Sequence, residues 1–252
     1  MAAFDDKASE HLLDNPAWYA VCSAPPEMVR SPVPTIRYFE PDISPFAGLP
    51  TYDEESLLSM YAALAAGSVL ITTPKPLTIP PPWIVAREIE GVQMIYASSS
   101  PPRQCPGVRV TPTLTLLTNS HVPDMMSLVA VTHPGPFSAR TFELGHYYGI
   151  FCDGKLASMA GQRLHMPGYA EISAVCTHPD YTGRGYAKCL LSFHIRRILE
   201  AGEIPFLHVR SSNEGAIAVY KKSGFVVRRD AYFYVCKKED ETCVQQRAET
   251  TT

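Results

Sequence analysis

Hydrophobic and polar residues follow different rhythms in the two halves of this chain. Residues 110–117 alternate threonine with apolar side chains, the period-two pattern of a strand. Residues 122–131 read as a helix, ended by Pro134-Gly135-Pro136. Residues 145–152 and 155–163 are strand-like runs flanking Asp153-Gly154, and a two-residue Asp-Gly between such runs predicts a hairpin. Met166-Pro167-Gly168 marks the next turn and residues 170–177 a further strand. In residues 186–200 the apolar positions Ala187, Leu190, Leu191, Ile195, Ile198 and Leu199 recur at helical spacing, with Gly202 placed to stop that helix. Residues 205–210 read as a strand, 213–222 as a helix, and 225–227 and 231–237 as two closing strands. This order predicts an α+β (mixed α/β) domain, a mixed sheet with helices packed on it.

The first half is broken by proline. The chain has 23, clustered at 25–50, 74–82 and 101–112. Proline cannot donate to a sheet ladder and breaks helices, so each cluster separates elements. Between them lie helix-like runs at 11–22 and 52–66 and strand-like runs at 68–72, 83–89 and 91–97.

Composition narrows the class. With 46% apolar and 19% charged residues over 252 positions, the chain is an ordinary globular one. A net charge of −3 gives no basis for binding nucleic acid or an anionic membrane, both of which need a basic surface. Residues 1–10 carry acids with no apolar run after them, unlike a secretory signal, and the apolar stretch at 61–72 is far short of a membrane span of about 20 residues. Seven scattered cysteines without a CxxC pair predict reduced thiols in a cytoplasmic protein and no metal site. Residues 239–252 are polar and read as a loose tail.

Three stretches carry chemistry. In Thr182-Gly183-Arg184-Gly185-Tyr186-Ala187, lying between a strand and a helix, the glycines permit a tight turn that aims N–H groups at a ligand. The helix that follows adds unpaired N–H groups and a positive dipole end, a favourable seat for pyrophosphate. Alone this is an ordinary strand–helix turn. It lacks the Gly-Lys-Ser/Thr of a Walker loop and the third glycine of a dinucleotide fingerprint. The second stretch is Glu171 to Pro179, where strand alternation would put Glu171, Ser173, Val175 and Thr177 on one face. The third runs from Asn213 to Phe225, where helical spacing aligns Asn213, Ala216 and Tyr220.

Together these stretches resemble the GNAT superfamily of N-acetyltransferases. Residues 175–187 are similar to its strand, Arg/Gln-x-x-Gly-x-Gly/Ala loop and helix, and residues 213–225 to its Asn-x-x-Ala-x-x-hydrophobic-Tyr-x-x-x-Gly-Phe motif. The resemblance runs over about residues 122–237 and implies a central, mostly antiparallel mixed sheet with helices on both faces. It implies acetyl-CoA as cosubstrate and a small amine or amino acid as acceptor. It also implies backbone pairing of the pantetheine arm with Val175 and Thr177. The diphosphate would lie on the amides of Gly183, Arg184, Gly185, Tyr186 and Ala187, with Asn213 and Ala216 at the pantetheine end. Tyr220 would be the acid that protonates the leaving thiolate. Glu171, six residues before Thr177, matches the general-base glutamate of the histone-acetyltransferase branch. An ammonium must lose a proton before it attacks a thioester, so a base is required. Thr182 stands where the family usually has Arg or Gln, and Arg184 keeps a positive charge two residues on.

The implied organisation is a GNAT domain at 106–238 preceded by residues 1–105, read as a degenerate half that shapes the acceptor site, as in glycine N-acyltransferase-like proteins. A longer acyl-CoA donor and a non-catalytic coenzyme A sensor remain as alternatives. The oligomeric state is open.

Overall fold

The computed structural model describes residues 11–105 and 111–239. The expected tail, apart from Glu239, and the start of the strand expected at 110–117 lie outside those residues.

Helix α1, Pro16–Ser23, begins later than the apolar run suggests, because Pro16 takes its first turn and Asn15 caps it. The Asn15 Oδ1 accepts the Trp18 N–H, while its Nδ2 donates to the Leu49 carbonyl at 2.7 Å, tying the cap to the next elements. The proline-rich segment then holds a small antiparallel sheet that the sequence pattern did not reveal, with β1 at Val29–Val33, β2 at Ile36–Phe39 and β3 at Ala47–Gly48. Helix α2, Glu54–Ala63, is capped by Asp53, whose carboxylate accepts the Ser56 N–H at 2.8 Å. Strand β4, Gly67–Thr73, follows, and then β5, Ile84–Tyr96, in which two expected strands merge through Gly91.

From residue 111 on come β6 (Thr115–Leu116), α3 (Val122–Thr132), β7 (Tyr148–Cys152), β8 (Lys155–Met166) and β9 (Tyr169–Thr177). Then follow α4 (Tyr186–Glu200), β10 (Ile204–Arg210), α5 (Glu214–Lys222) and β11 (Phe225–Lys238). The two expected closing strands are one strand, kinked where Val227 faces Met94 and Arg229 faces Gln93. Arg228 is therefore the extra residue of a bulge, which re-aims its side chain.

Eight strands form the main sheet in the order β4-β11-β5-β10-β9-β8-β7-β6, antiparallel except for the β9–β10 pair. Of the elements before residue 105, β4 and β5 belong to this sheet, and β5 runs between β11 and β10. Strand alternation sorts the helices. Met94 and Leu207 pack in the core that includes Leu191, Ile195 and Ile198 of α4, whereas Ile95 and Phe206 pack with Ala17, Ala20 and Val21 of α1. Likewise Ile172 faces α4, while Ala174 and Cys176 face Met125 and Leu128 of α3. So α4 and α5 cover one face, and α1 and α3 the other. Leu190, Leu191, Ile195 and Ile198 are each at most 1% exposed. Each stabilises the sheet–helix layer by about 1.5–3 kcal/mol.

Cys105 and Cys189 lie side by side, their Cα atoms 3.9 Å apart across 84 residues of sequence, a proximity that local spacing does not announce. Among the described residues no helix is long and apolar enough to cross a membrane.

Close approach of α1 to β3 depends on Gly48. A Cβ there would lie 2.5 Å from the Trp18 Cα and 2.8 Å from its N, both backbone atoms that cannot swing aside. Gly48→Ala is expected to destabilise the fold by about 1–3 kcal/mol, as overpacking does. Urea denaturation checks it, and a midpoint equal to the parent's would rule out this contact.

Candidate active site

The site is built where the sheet opens. Strands β9 and β10 pair in parallel only at Tyr169–Ile204, Ala170–Pro205 and Glu171–Phe206. Beyond that point β10 continues along β5, while residues 172–177 of β9 have no partner on the β10 side. The two strands diverge into a wedge that leaves one edge of β9 to an added strand.

On its other edge β9 is bulged. Met159 faces Cys176 and Gly161 faces Ser173, leaving Ala174 and Val175 outside the register, and Ala174 adopts a left-handed φ of 51°. The bulge inverts the alternation. Val175 packs toward α4 with Ile172, so Glu171 and Val175 do not share a face as simple strand periodicity required.

At the mouth of the wedge, β9 passes through a short turn into α4. Gly183 and Gly185 both have left-handed φ, 76° and 82°. Gly185 is the N-cap of α4 and supplies no side chain to cap it, so the first-turn amides have no side-chain partner. A Cβ on Gly183 would meet nothing within 4 Å, so the corner is open. Thr182 folds back, donating its hydroxyl to the Pro179 carbonyl at 3.0 Å. The Arg184 guanidinium lies over the Tyr181 ring at 4.9 Å and keeps its charge beside the loop. Tyr186, the first helical residue, accepts from the Cys152 thiol at 3.3 Å, and the half-buried Ala187 follows it.

Across the wedge stands α5. Asn213 caps it, its Oδ1 accepting the Ala216 N–H at 3.1 Å, which links the two residues singled out in that motif. Tyr220 lies further along the helix against Phe225, in edge-on ring contact. Burial pushes its phenol up to about 12, and the neighbouring Cys176 thiol adds to the rise. It is therefore protonated at neutral pH, as an acid must be.

Glu171 lies on the opposite face from α4 and α5 and is fully buried. Both its oxygens are engaged by Arg163, at 2.9 Å from Nε and 2.7 Å from Nη2. Its Oε1 also faces His208 Nδ1 at 2.8 Å. Burial alone would raise this carboxyl, but the Arg163 charge and the two hydrogen-bonding partners overcome it and hold it down to about 2. A carboxylate so occupied is a poor direct acceptor of a proton.

From His208 the polar chain continues. Gln93 Nε2 lies 3.2 Å from His208 Nε2 and donates to the Leu13 carbonyl at 2.8 Å. Arg228, re-aimed by the β11 bulge, donates to Gln93 Oε1 at 3.0 Å and pairs with Asp14 at 2.7 Å. Arg229 pairs with the same carboxylate. Beside this network is a small recess of about 10 Å³, room for about one water, lined by Asp14, Thr73, Gln93, His208, Arg229 and Asp230 among others. Sequence reasoning missed Arg163, His208, Gln93, Arg228 and Asp14. Each is a single polar residue in an otherwise unremarked run, and only five separate segments of the chain brought together make them a network.

A mixed sheet parted at its one parallel pair, with a glycine-turned helix start at the opening, defines the class to which this site belongs. Residues 147–234 match the family model described as FR47-like protein. A solved structure of a GNAT-family protein from Novosphingobium aromaticivorans, described as an acetyltransferase, is 32% identical with a TM-score of 0.81 and covers 92% of this chain and 100% of that one. The N-alpha-acetyltransferase MAK3 of Arabidopsis thaliana is 31% identical over 126 residues, covering 45% of this chain and 65% of that protein. The ribosomal protein bS18-alanine N-acetyltransferase of Salmonella typhimurium is 28% identical, covering 48% of this chain and 86% of its own length. The chain belongs to the GNAT superfamily, the N-acetyltransferase class of acyltransferases.

Proposed function

We propose that this protein moves the acetyl group of acetyl-CoA to a primary amine of a small molecule or amino acid by direct attack. The observation that supports this most is the wedge between β9 and β10 with the uncapped start of α4 at its mouth. A bound coenzyme supplies the activated thioester. The chain supplies the seat. Backbone groups of Val175 and Thr177 pair with the pantetheine arm as an added strand. Amides of Gly183, Arg184, Gly185, Tyr186 and Ala187 receive the diphosphate, helped by the helix dipole and the Arg184 charge. Loss of a family Arg or Gln at Thr182 weakens a seat that rests chiefly on main-chain amides. Asn213 offers its Nδ2 to the amides of the arm, and the small Ala216 leaves room beside it.

Tyr220 gives its proton to the departing sulfur. A thiol of pKa about 8.5 leaves readily, so Tyr220→Phe is expected to lower kcat roughly ten-fold, below the usual range for acid catalysis of about 10²–10⁴. Acetyl-CoA affinity should stay that of the parent. Steady-state kinetics beside calorimetric titration checks both, and a parent-like kcat would remove the acid role. Glu171 acts in this reading through its partners, since both of its oxygens are engaged.

The overall test is calorimetric titration with acetyl-CoA followed by a thiol-release assay over an amine panel. Alpha-amines of amino acids and short peptides head that panel, because the relatives above are by name N-alpha- and alanine N-acetyltransferases. Absence of both binding heat and released thiol would end the proposal. Longer acyl-CoA donors run in parallel distinguish an acetyltransferase from a long-chain enzyme.

A further inference from the structure

Resting on the acyl-transfer reading above, we infer that His208 is the group that takes the acceptor's proton, through a water in the small recess beside Gln93, with Glu171 its positioning carboxylate. The argument starts from hydrogen-bond bookkeeping. An arginine only donates, so the Gln93 atom facing Arg228 must be its carbonyl oxygen. The Gln93 amide nitrogen therefore faces His208 Nε2 and donates to it. His208 Nε2 is thus an acceptor, and the ring's proton sits on Nδ1, where it is donated to the Glu171 carboxylate at 2.8 Å. Arg163, also donor-only, fixes the carboxylate from behind. Each partner in the chain admits one protonation state, and the result is a neutral imidazole whose basic nitrogen is the one beside the recess.

The weakest link is at the right place. The Gln93–His208 contact at 3.2 Å is longer than the flanking contacts at 2.8 Å to Glu171, 2.8 Å to Leu13 and 3.0 Å to Arg228. A water can replace it while the others persist. Phe206 and Phe233 hold the ring edge-on at 5.7 and 5.3 Å, so it cannot turn to offer the other nitrogen without moving both. Location agrees too. His208 lies on β10 just past its last pairing with β9, where the wedge begins, and on the face away from α4.

The step balances as follows. An acceptor ammonium gives one proton, through the water in the recess, to His208 Nε2, forming an imidazolium that keeps its Nδ1–H on Glu171. The freed amine nitrogen bonds to the thioester carbonyl carbon and the carbon–sulfur bond breaks. The nitrogen's second proton replaces the one that Tyr220 delivers to sulfur. The proton on His208 leaves to solvent, so the products are an amide, a thiol and one proton.

The experiment compares the pH dependence of kcat/KM for the parent, His208→Ala, His208→Gln and Glu171→Gln, using acetyl-CoA and the best amine of the panel. Charged groups facing His208 are Glu171 from β9 with Arg163 behind it from β8. From the recess side they are Asp14, Arg228, Arg229 and Asp230. The parent's kcat/KM is expected to fall on the acid side. Both His208 variants should lose about 10²–10⁴-fold in kcat together with that acid limb, while acetyl-CoA binding persists. Added imidazole should restore part of the rate to His208→Ala, which a merely structural histidine would not show. Glu171→Gln should move the limb to lower pH, since the imidazolium loses its neighbouring anion. Parent-like kcat in the His208 variants, or loss of the limb in Glu171→Gln alone, overturns the inference. Nitrogen NMR of the unmodified protein supplies a measurement that needs no variant: a proton on Nε2 at neutral pH overturns it as well. Failure of the parent to bind acetyl-CoA would instead strike the acyl-transfer reading itself.

Discussion

Gly185→Val is expected to weaken acetyl-CoA binding by roughly 10- to 100-fold, equivalent to about 1.4–2.8 kcal/mol. Gly185 sits at φ 82° as the N-cap of α4. A β-branched residue resists that conformation, so the free loop relaxes toward negative φ and turns its N–H groups away from the corner. Binding must then restore the strained turn and also accommodate two methyl groups where a phosphate would lie. Gly202→Ala is the control. It carries a similar φ of 77° with open space around it, but lies beyond the other end of α4. It should lower stability and leave coenzyme affinity alone. Isothermal titration of both variants decides the matter. Equal affinities for Gly185→Val and parent would mean that the main-chain corner is not where the diphosphate sits.

The second large effect concerns stability. Glu171→Ala leaves the Arg163 guanidinium buried without its carboxylate, and breaking such a pair costs about 3–5 kcal/mol. For a domain of this size that is a fall in Tm of about 6–20 °C. Arg163 also lies over the Phe46 ring at 4.7 Å, so its head is held in place and cannot reach water by rotating away. Combining Glu171→Leu with Arg163→Met should recover part of the loss, because two apolar side chains need no partner. The pH dependence has a definite sign. The folded carboxyl is held at about 2, below its ordinary 4.5. Its contribution is therefore fully present above pH 4.5 and lost as pH falls from there toward 2. Thermal melts of parent and variant between neutral pH and pH 3 should converge on the acid side. A Glu171→Ala melt matching the parent at neutral pH would show that the ion pair stabilises nothing.

The contrast between the two halves of the chain is one of local against distant information. From residue 145 on, most elements are set by short-range rules. Asp153-Gly154 makes a hairpin wherever it lies between strands, and the spacing of Leu190, Leu191, Ile195 and Ile198 makes a helix with one apolar face. The glycine loop and the Asn213 cap are local too, and both appear where the pattern placed them. The proline-rich half carried weaker signals. Its three-stranded sheet has strands of 5, 4 and 2 residues, too short for periodicity to register. The length of β5 was hidden because Gly91 looks like a break until two neighbouring strands are seen to hold it.

What the sequence by itself determined is the family, the order of elements around the glycine-turned start of α4 and the turn itself, because each depends on neighbours within a few positions. What only the tertiary structure decided is the polar network on the other face. Simple alternation put Glu171 on the same face as Val175, and one left-handed residue, Ala174, separated them. A bulge at Arg228 and a strand contributed by residues before 105 then brought Gln93, His208 and Asp14 to the same carboxylate network. Such a network depends on distances between atoms far apart in the chain, and those are fixed by how strands pair, which no local pattern encodes.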